Sequence, residues 1–131
     1  MTENQIAKTV VDAAYKVHLA LGPGLLESVY EVILAHELRK RGLKVERQKS
    51  IPIKYDGMTF EEGFRADLVV EDKVICELKS VQQESRVFKK VVLTQLRLTG
   101  LRLGLLVNFG ADRIGDGISG IVNGLPDESP Q

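Results

Sequence analysis

The chain has 131 residues, and its 18 lysines and arginines balance 18 aspartates and glutamates to a formal charge of zero. That length suits one domain and is too short for two independent cores. A composition of 44% hydrophobic and 27% charged residues excludes the disordered and fibrous classes, and zero net charge argues against a protein that coats nucleic acid nonspecifically.

Thr2 and Gln5 form a capping-box pattern, and Ile6, Val10, Ala13, Ala14, Val17 and Leu21 then share one helical face, predicting a helix from about residue 3 to 21. Gly22, Pro23 and Gly24 interrupt it. A second helix carries Leu26, Val29, Tyr30, Ile33, Leu34 and Leu38 at spacings of three and four. Arg39, Lys40 and Arg41 suit its negative end, and Gly42 stops it. From Leu43 the period falls toward two: Val45, Ile51 and Ile53 alternate with polar residues in an edge or half-exposed strand, and Asp56-Gly57 is a hairpin signal.

Two strands are expected next, Phe60 to Val70 and Lys73 to Val81, whose apolar segments LVV and VIC suggest burial on both faces. A third helix from Ser85 to Thr99, closed by Gly100, leads into the buried strand LRLGLLVNFG, so the connection reads as a crossover. In the glycine-rich segment up to Gly124, Ile118 and Val122 fit a short strand or a helical turn, and a strand is the expectation. The domain is expected over residues 1–124, and LPDESPQ, residues 125–131, as a flexible tail.

No apolar run approaches the roughly 20 residues of a membrane span. The opening MTENQIAK lacks a secretion signal, so a cytoplasmic location is expected. The one cysteine, Cys76, lies in an apolar run and reads as a small core residue. Two histidines, His18 and His36, are too few and too scattered for a zinc site.

Chemistry concentrates in the middle of the chain. Glu77 and Lys79 are two apart on a strand and so project from one face. An E-x-K triplet can be a solvated strand face, but Val74, Ile75, Cys76 and Leu78 around this one are apolar. A three-residue turn centred on Asp72 sets Asp67 opposite Glu77, where two carboxylates repel unless a cation or proton intervenes. A two-residue turn instead sets Leu68 opposite Glu77 and separates the acids. Both registers are open at this point, as are a metal site and a structural ion-pair cluster.

Taken together, GLLESVY (Gly24 to Tyr30), RADLVV (Arg65 to Val70) and ICELKSV (Ile75 to Val81) resemble the GxxExxY protein family of the PD-(D/E)XK nuclease superfamily. The resemblance runs from about Ile6 to Asn123. It implies an α/β, restriction-endonuclease-like αβββαβ core with a mixed central sheet flanked by helices and an extra N-terminal helix. It also implies hydrolysis of DNA phosphodiesters with Mg2+, or Mn2+ in its place. Carried over by position, Glu27, Asp67 and Glu77 are the implied metal ligands, and Lys79 assists the attacking water. Tyr30, one helical turn past Glu27, is implied to position that acid or to pack.

On the third helix the family's glutamine and tyrosine positions are Val91 and Gln95 here. Gln95 can substitute for the glutamine one turn away, whereas valine cannot hydrogen-bond a substrate. Lys89 and Lys90 are candidate phosphate contacts, or simply a solvated helix exterior. An inactive nuclease-fold module that binds nucleic acid or a protein is the alternative function. Cleavage of both strands of a duplex would be easier to explain with a homodimer.

Overall fold

The computed structural model describes residues 1–127, so the tail expected over 125–131 lies partly outside the described residues. Its elements are α1 (Glu3–Leu21), α2 (Glu27–Lys40), β1 (Val45–Tyr55), β2 (Met58–Val70), β3 (Val74–Lys79), α3 (Arg86–Thr99), β4 (Leu103–Asn108), a 3-10 helix (Ile114–Gly117) and β5 (Ile118–Val122). From α2 to β4 this is the expected αβββαβ order, with α1 in front and β5 behind. Among the described residues no helix is long and apolar enough to cross a membrane.

The sheet has five strands in the order β1-β2-β3-β4-β5. Among the described residues only β3 and β4 pair in parallel, because α3 carries the chain back across the sheet between them. The other neighbours pair antiparallel through turns. The capping box forms as expected: Gln5 N–H donates to Thr2 Oγ1 and Thr2 N–H to Gln5 Oε1. The strand expected around Ile118 and Val122 forms as β5, preceded by a 3-10 turn.

Two cores lie on opposite faces. On one, α1 and α2 bury Ile6, Val10, Leu34 and Leu38 against Leu68, Val70, Cys76, Leu105 and Val107. On the other, α3 places Val92 and Leu96 against Ala66, Val69 and Ile75. Gly104 makes this close approach possible, since a Cβ there would fall 2.5 Å from Val92 Cγ1. Cys76 is fully buried, and burial, followed by the charges of Asp67 and Glu77, pushes its thiol up to about 12.

The β2–β3 turn decides the register. Leu68 pairs with Cys76, Val69 with Ile75 and Val70 with Val74, the pairing of a three-residue turn centred on Asp72. Glu71 and Asp72 adopt φ of 53° and 56°, and Lys73 N–H donates to Val70 O at 3.0 Å. The two-residue alternative is excluded.

β1 and β2 run past β3 as a long hairpin, starting two residues earlier in β2 than its apolar pattern suggests. β3, by contrast, ends at Lys79 rather than Val81, because the next residues are held elsewhere. Ser80 Oγ donates to Leu25 O at 2.6 Å. The buried Asn108 amide donates to Val81 O at 3.0 Å and accepts from Val81 N–H at 3.1 Å.

Candidate metal and nucleic-acid site

The β2–β3 ladder stops at Leu68 and Cys76, and the two strands fork beyond it. Leu78 N–H, in the opened stretch, donates to Asp67 Oδ2 at 2.9 Å. The side chain thus supplies an acceptor where the neighbouring strand does not. Strict alternation also fails in β2 here: Ala66 packs on the α3 face with Val69, while Leu68 packs on the α1/α2 face. Asp67 sits where the strand turns over, with access to the fork.

Glu77 stands half-buried across that fork. Burial raises its carboxyl most, and the charge of Asp67 raises it further, to about 7. Gln95 and Lys79 act in the opposite direction without cancelling the rise. Two carboxylates are therefore brought together in a partly dry site at a standing electrostatic cost. Gln95, buried on α3, places Nε2 3.4 Å from Glu77 Oε2, and its Oε1 is buried with no hydrogen-bond partner. Lys79 Nζ lies 4.5 Å from the Phe88 ring centroid, so a cation–π contact holds the ammonium near the fork.

Glu27 opens α2 at the rim. Leu26 caps the helix without a side-chain bond, so the loop before it is fixed from outside. Ser80 takes part, as above, and the Tyr30 hydroxyl donates to Gly22 O at 2.5 Å while accepting from Leu25 N–H at 3.2 Å. The Tyr30 ring is fully buried and stacks on Phe109 with centroids 4.4 Å apart. Its hydroxyl thus ties down the loop that leads into α2.

Glu27, Ser28, Glu31, Arg47, Gln48, Asp67 and Leu78 line a cleft of about 350 Å3. Glu27 is exposed at its mouth. Among the described residues, no three histidine, cysteine, aspartate or glutamate side chains gather tightly enough to hold an ion between them. Asp67 and Glu77 come together, and Glu27 faces the same cleft without joining them as a third close donor. Lys89 and Lys90 are exposed on α3.

Glu31, Arg47 and Gln48 are additions that sequence reasoning missed. Glu31 is buried, one helical turn beyond Glu27; Arg47 donates to its Oε2 from Nε at 3.2 Å and from Nη2 at 3.1 Å, and Gln48 Nε2 donates to its Oε1 at 2.5 Å. A signal was present, since Glu31 interrupts the buried stripe of Tyr30, Leu34 and Leu38. A carboxylate in that position demands a partner.

A model of the PD-(D/E)XK nuclease superfamily matches residues 4–120, which include the fork, the rim of α2 and all of α3. The chain belongs to this superfamily. Among solved structures, the crystal structure of SSO0001 is similar at 20% identity with a TM-score of 0.56, over 76% of this chain and 52% of that one. The chain thus spans about half the length of that structure, and the likeness concerns the fold alone. Comparison with curated proteins finds no match.

The superfamily generally works with divalent metals, and the donor set fits one. Asp67 and Glu77 offer adjacent hard oxygens whose mutual repulsion a cation would relieve, and the Gln95 amide that donates to Glu77 keeps its buried Oε1 without a hydrogen-bond partner. Magnesium usually takes one or two carboxylates and leaves its remaining positions to water and phosphate.

Proposed function

We propose that this protein is a magnesium-dependent nuclease that hydrolyses phosphodiester bonds in DNA, with manganese able to replace magnesium. The single observation that carries this reading is the fork, where Asp67 and Glu77 face each other with Glu77 held up to about 7. Superfamily membership supports nucleolytic chemistry over a purely structural carboxylate pair.

In this reading Asp67 and Glu77 hold the cation, and Glu27 at the cleft mouth reaches it through water. A divalent cation there would supply the Lewis acidity that phosphodiester hydrolysis needs. Lys79 shares the face of Glu77, and its ammonium orients the attacking water or stabilises charge growing on the phosphate. Phe88 restrains that ammonium by its ring face, without neutralising it as a carboxylate would. Gln95 aligns the Glu77 carboxylate from α3. Lys89 and Lys90 contact the phosphates of the bound strand.

Incubating the protein with single-stranded, double-stranded and branched DNA in Mg2+ or Mn2+ tests this. Cleavage should require the metal and vanish in both Asp67→Ala and Lys79→Ala. A second reading, a weak or inactive nuclease-fold module binding nucleic acid or a protein, is favoured by Val91, a 42% exposed apolar residue where the resemblance implies a glutamine. Wild type that binds these DNAs and cuts none of them would select it.

A further inference from the structure

Gln48 is a backbone outlier. Its φ is +48°, a left-handed conformation disfavoured for side chains larger than glycine, yet it lies inside β1 rather than in a turn. The flanking pairs, Arg47 with Leu68 and Lys49 with Ala66, place it directly across from Asp67. In a regular strand, neighbours such as Arg47 and Gln48 point to opposite faces. Here both reach Glu31, and the left-handed residue is what lets them.

The second hydrogen on Gln48 Nε2 goes to Asp67 Oδ1 at 3.1 Å. One amide nitrogen thus spans two carboxylates. The reverse orientation would set the amide oxygen against two anionic oxygens, so the chemistry fixes which end points inward. With Leu78 N–H on Oδ2, both oxygens of Asp67 are held by donors from different elements. Glu31 in turn is anchored by Arg47.

We propose that Gln48, braced by Glu31 and Arg47, is a positioning residue that sets the orientation of the Asp67 carboxylate for a divalent cation, and that the strain in β1 is retained for this task. This rests on the reading of Asp67 and Glu77 as metal ligands. Side chains that orient a ligand typically change metal affinity by about 10- to 100-fold when removed.

Calorimetric titration of Mn2+ into the full chain, with thermal unfolding of the metal-free proteins alongside, tests it. Gln48→Met keeps the side chain's length without its donors, and Gln48→Gly also relieves the left-handed backbone. Both should weaken Mn2+ binding about 10- to 100-fold. Metal-free Gln48→Gly should nevertheless unfold at or above the wild-type temperature. A structural role alone would lower the Tm and leave affinity unmoved, which overturns the proposal. Asp67→Asn separates the two levels. If wild type binds Mn2+, Asp67→Asn does not and the Gln48 variants bind like wild type, this inference alone falls. If wild type takes up no Mn2+, the parent reading falls and takes this one with it.

Discussion

The two faces of the sheet are built to different standards. Toward α1 and α2 the sheet is sealed by a continuous core that includes Tyr30 stacked on Phe109. Toward α3 the buried cluster is only Ala66, Val69, Ile75, Val92 and Leu96, with a groove of about 330 Å3 beside it bordered by Ile51, Pro52, Leu98 and Leu101. The fold keeps its stability on the closed face and tolerates cost on the open one. The closed face supplies a rigid platform, and Glu77 and Lys79 rise from the other at the end where the strands fork. A half-buried pair of carboxylates is held together there because the rest of the sheet is well determined.

Matched deletions in the two cores should break this comparison most visibly. Leu34 and Leu96 are both fully buried leucines. Truncation of such residues costs about 2–5 kcal/mol, more where the surroundings cannot collapse. Leu34→Ala should lie near the top of that range and Leu96→Ala near the bottom, as read by chemical denaturation. Equal losses would mean that the open groove gives no relief.

Next in size is the charge conflict itself. Asp67→Asn keeps an acceptor for Leu78 N–H while removing the charge that opposes Glu77. Cleavage should fall by about 100- to 1,000-fold, the scale of losing one preorganised group in a reaction centre. The Tm of the metal-free protein should change little, because relief of the charge conflict with Glu77 is set against loss of the acceptor for Gln48 Nε2. A variant that loses both activity and stability would make Asp67 a structural residue.

The raised Glu77 also fixes the sign of a pH effect. Its carboxyl titrates at about 7 in the folded protein against an ordinary 4.5. The folded state therefore keeps a proton that the unfolded chain releases between those values. This group's contribution is fully present below about 4.5 and is lost as pH rises through about 7. Glu3 and Glu37 are lowered and act in the opposite sense, so the comparison is with Glu77→Gln. Stability of wild type relative to that variant should decline across the interval. Metal uptake should strengthen over the same range and release a proton.

The smallest effect belongs to the exposed rim. If Lys89 and Lys90 meet phosphates, each alanine variant should reduce the salt dependence of DNA binding by about one unit of slope, without altering metal affinity. An unchanged slope would leave them as ordinary solvated helix residues.

Much of this was legible in the residues. Helical spacing marked α1, α2 and α3, and the ordered motifs around Glu27, Asp67 and Glu77 marked the superfamily. The register of β2 against β3 was not fixed by the motifs, since it depended on one residue more or less in the turn at Asp72. The left-handed backbone at Glu71 and Asp72 supplied the answer. Glu27, implied by the resemblance to be a metal ligand, lines the cleft with Asp67 from the first turn of α2. The Glu31, Arg47 and Gln48 network was hidden for a different reason. It needs α2 to pack on β1 and one residue of β1 to leave the strand conformation, and neither follows from local periodicity.

The most direct test is calorimetric titration of Mg2+ and Mn2+ into wild type, Asp67→Asn and Glu77→Gln in parallel. Saturable binding by wild type, sharply weakened by either substitution, is the outcome expected of two carboxylates sharing one cation at the fork. Wild type that binds neither ion, or variants that bind as well as wild type, would contradict it.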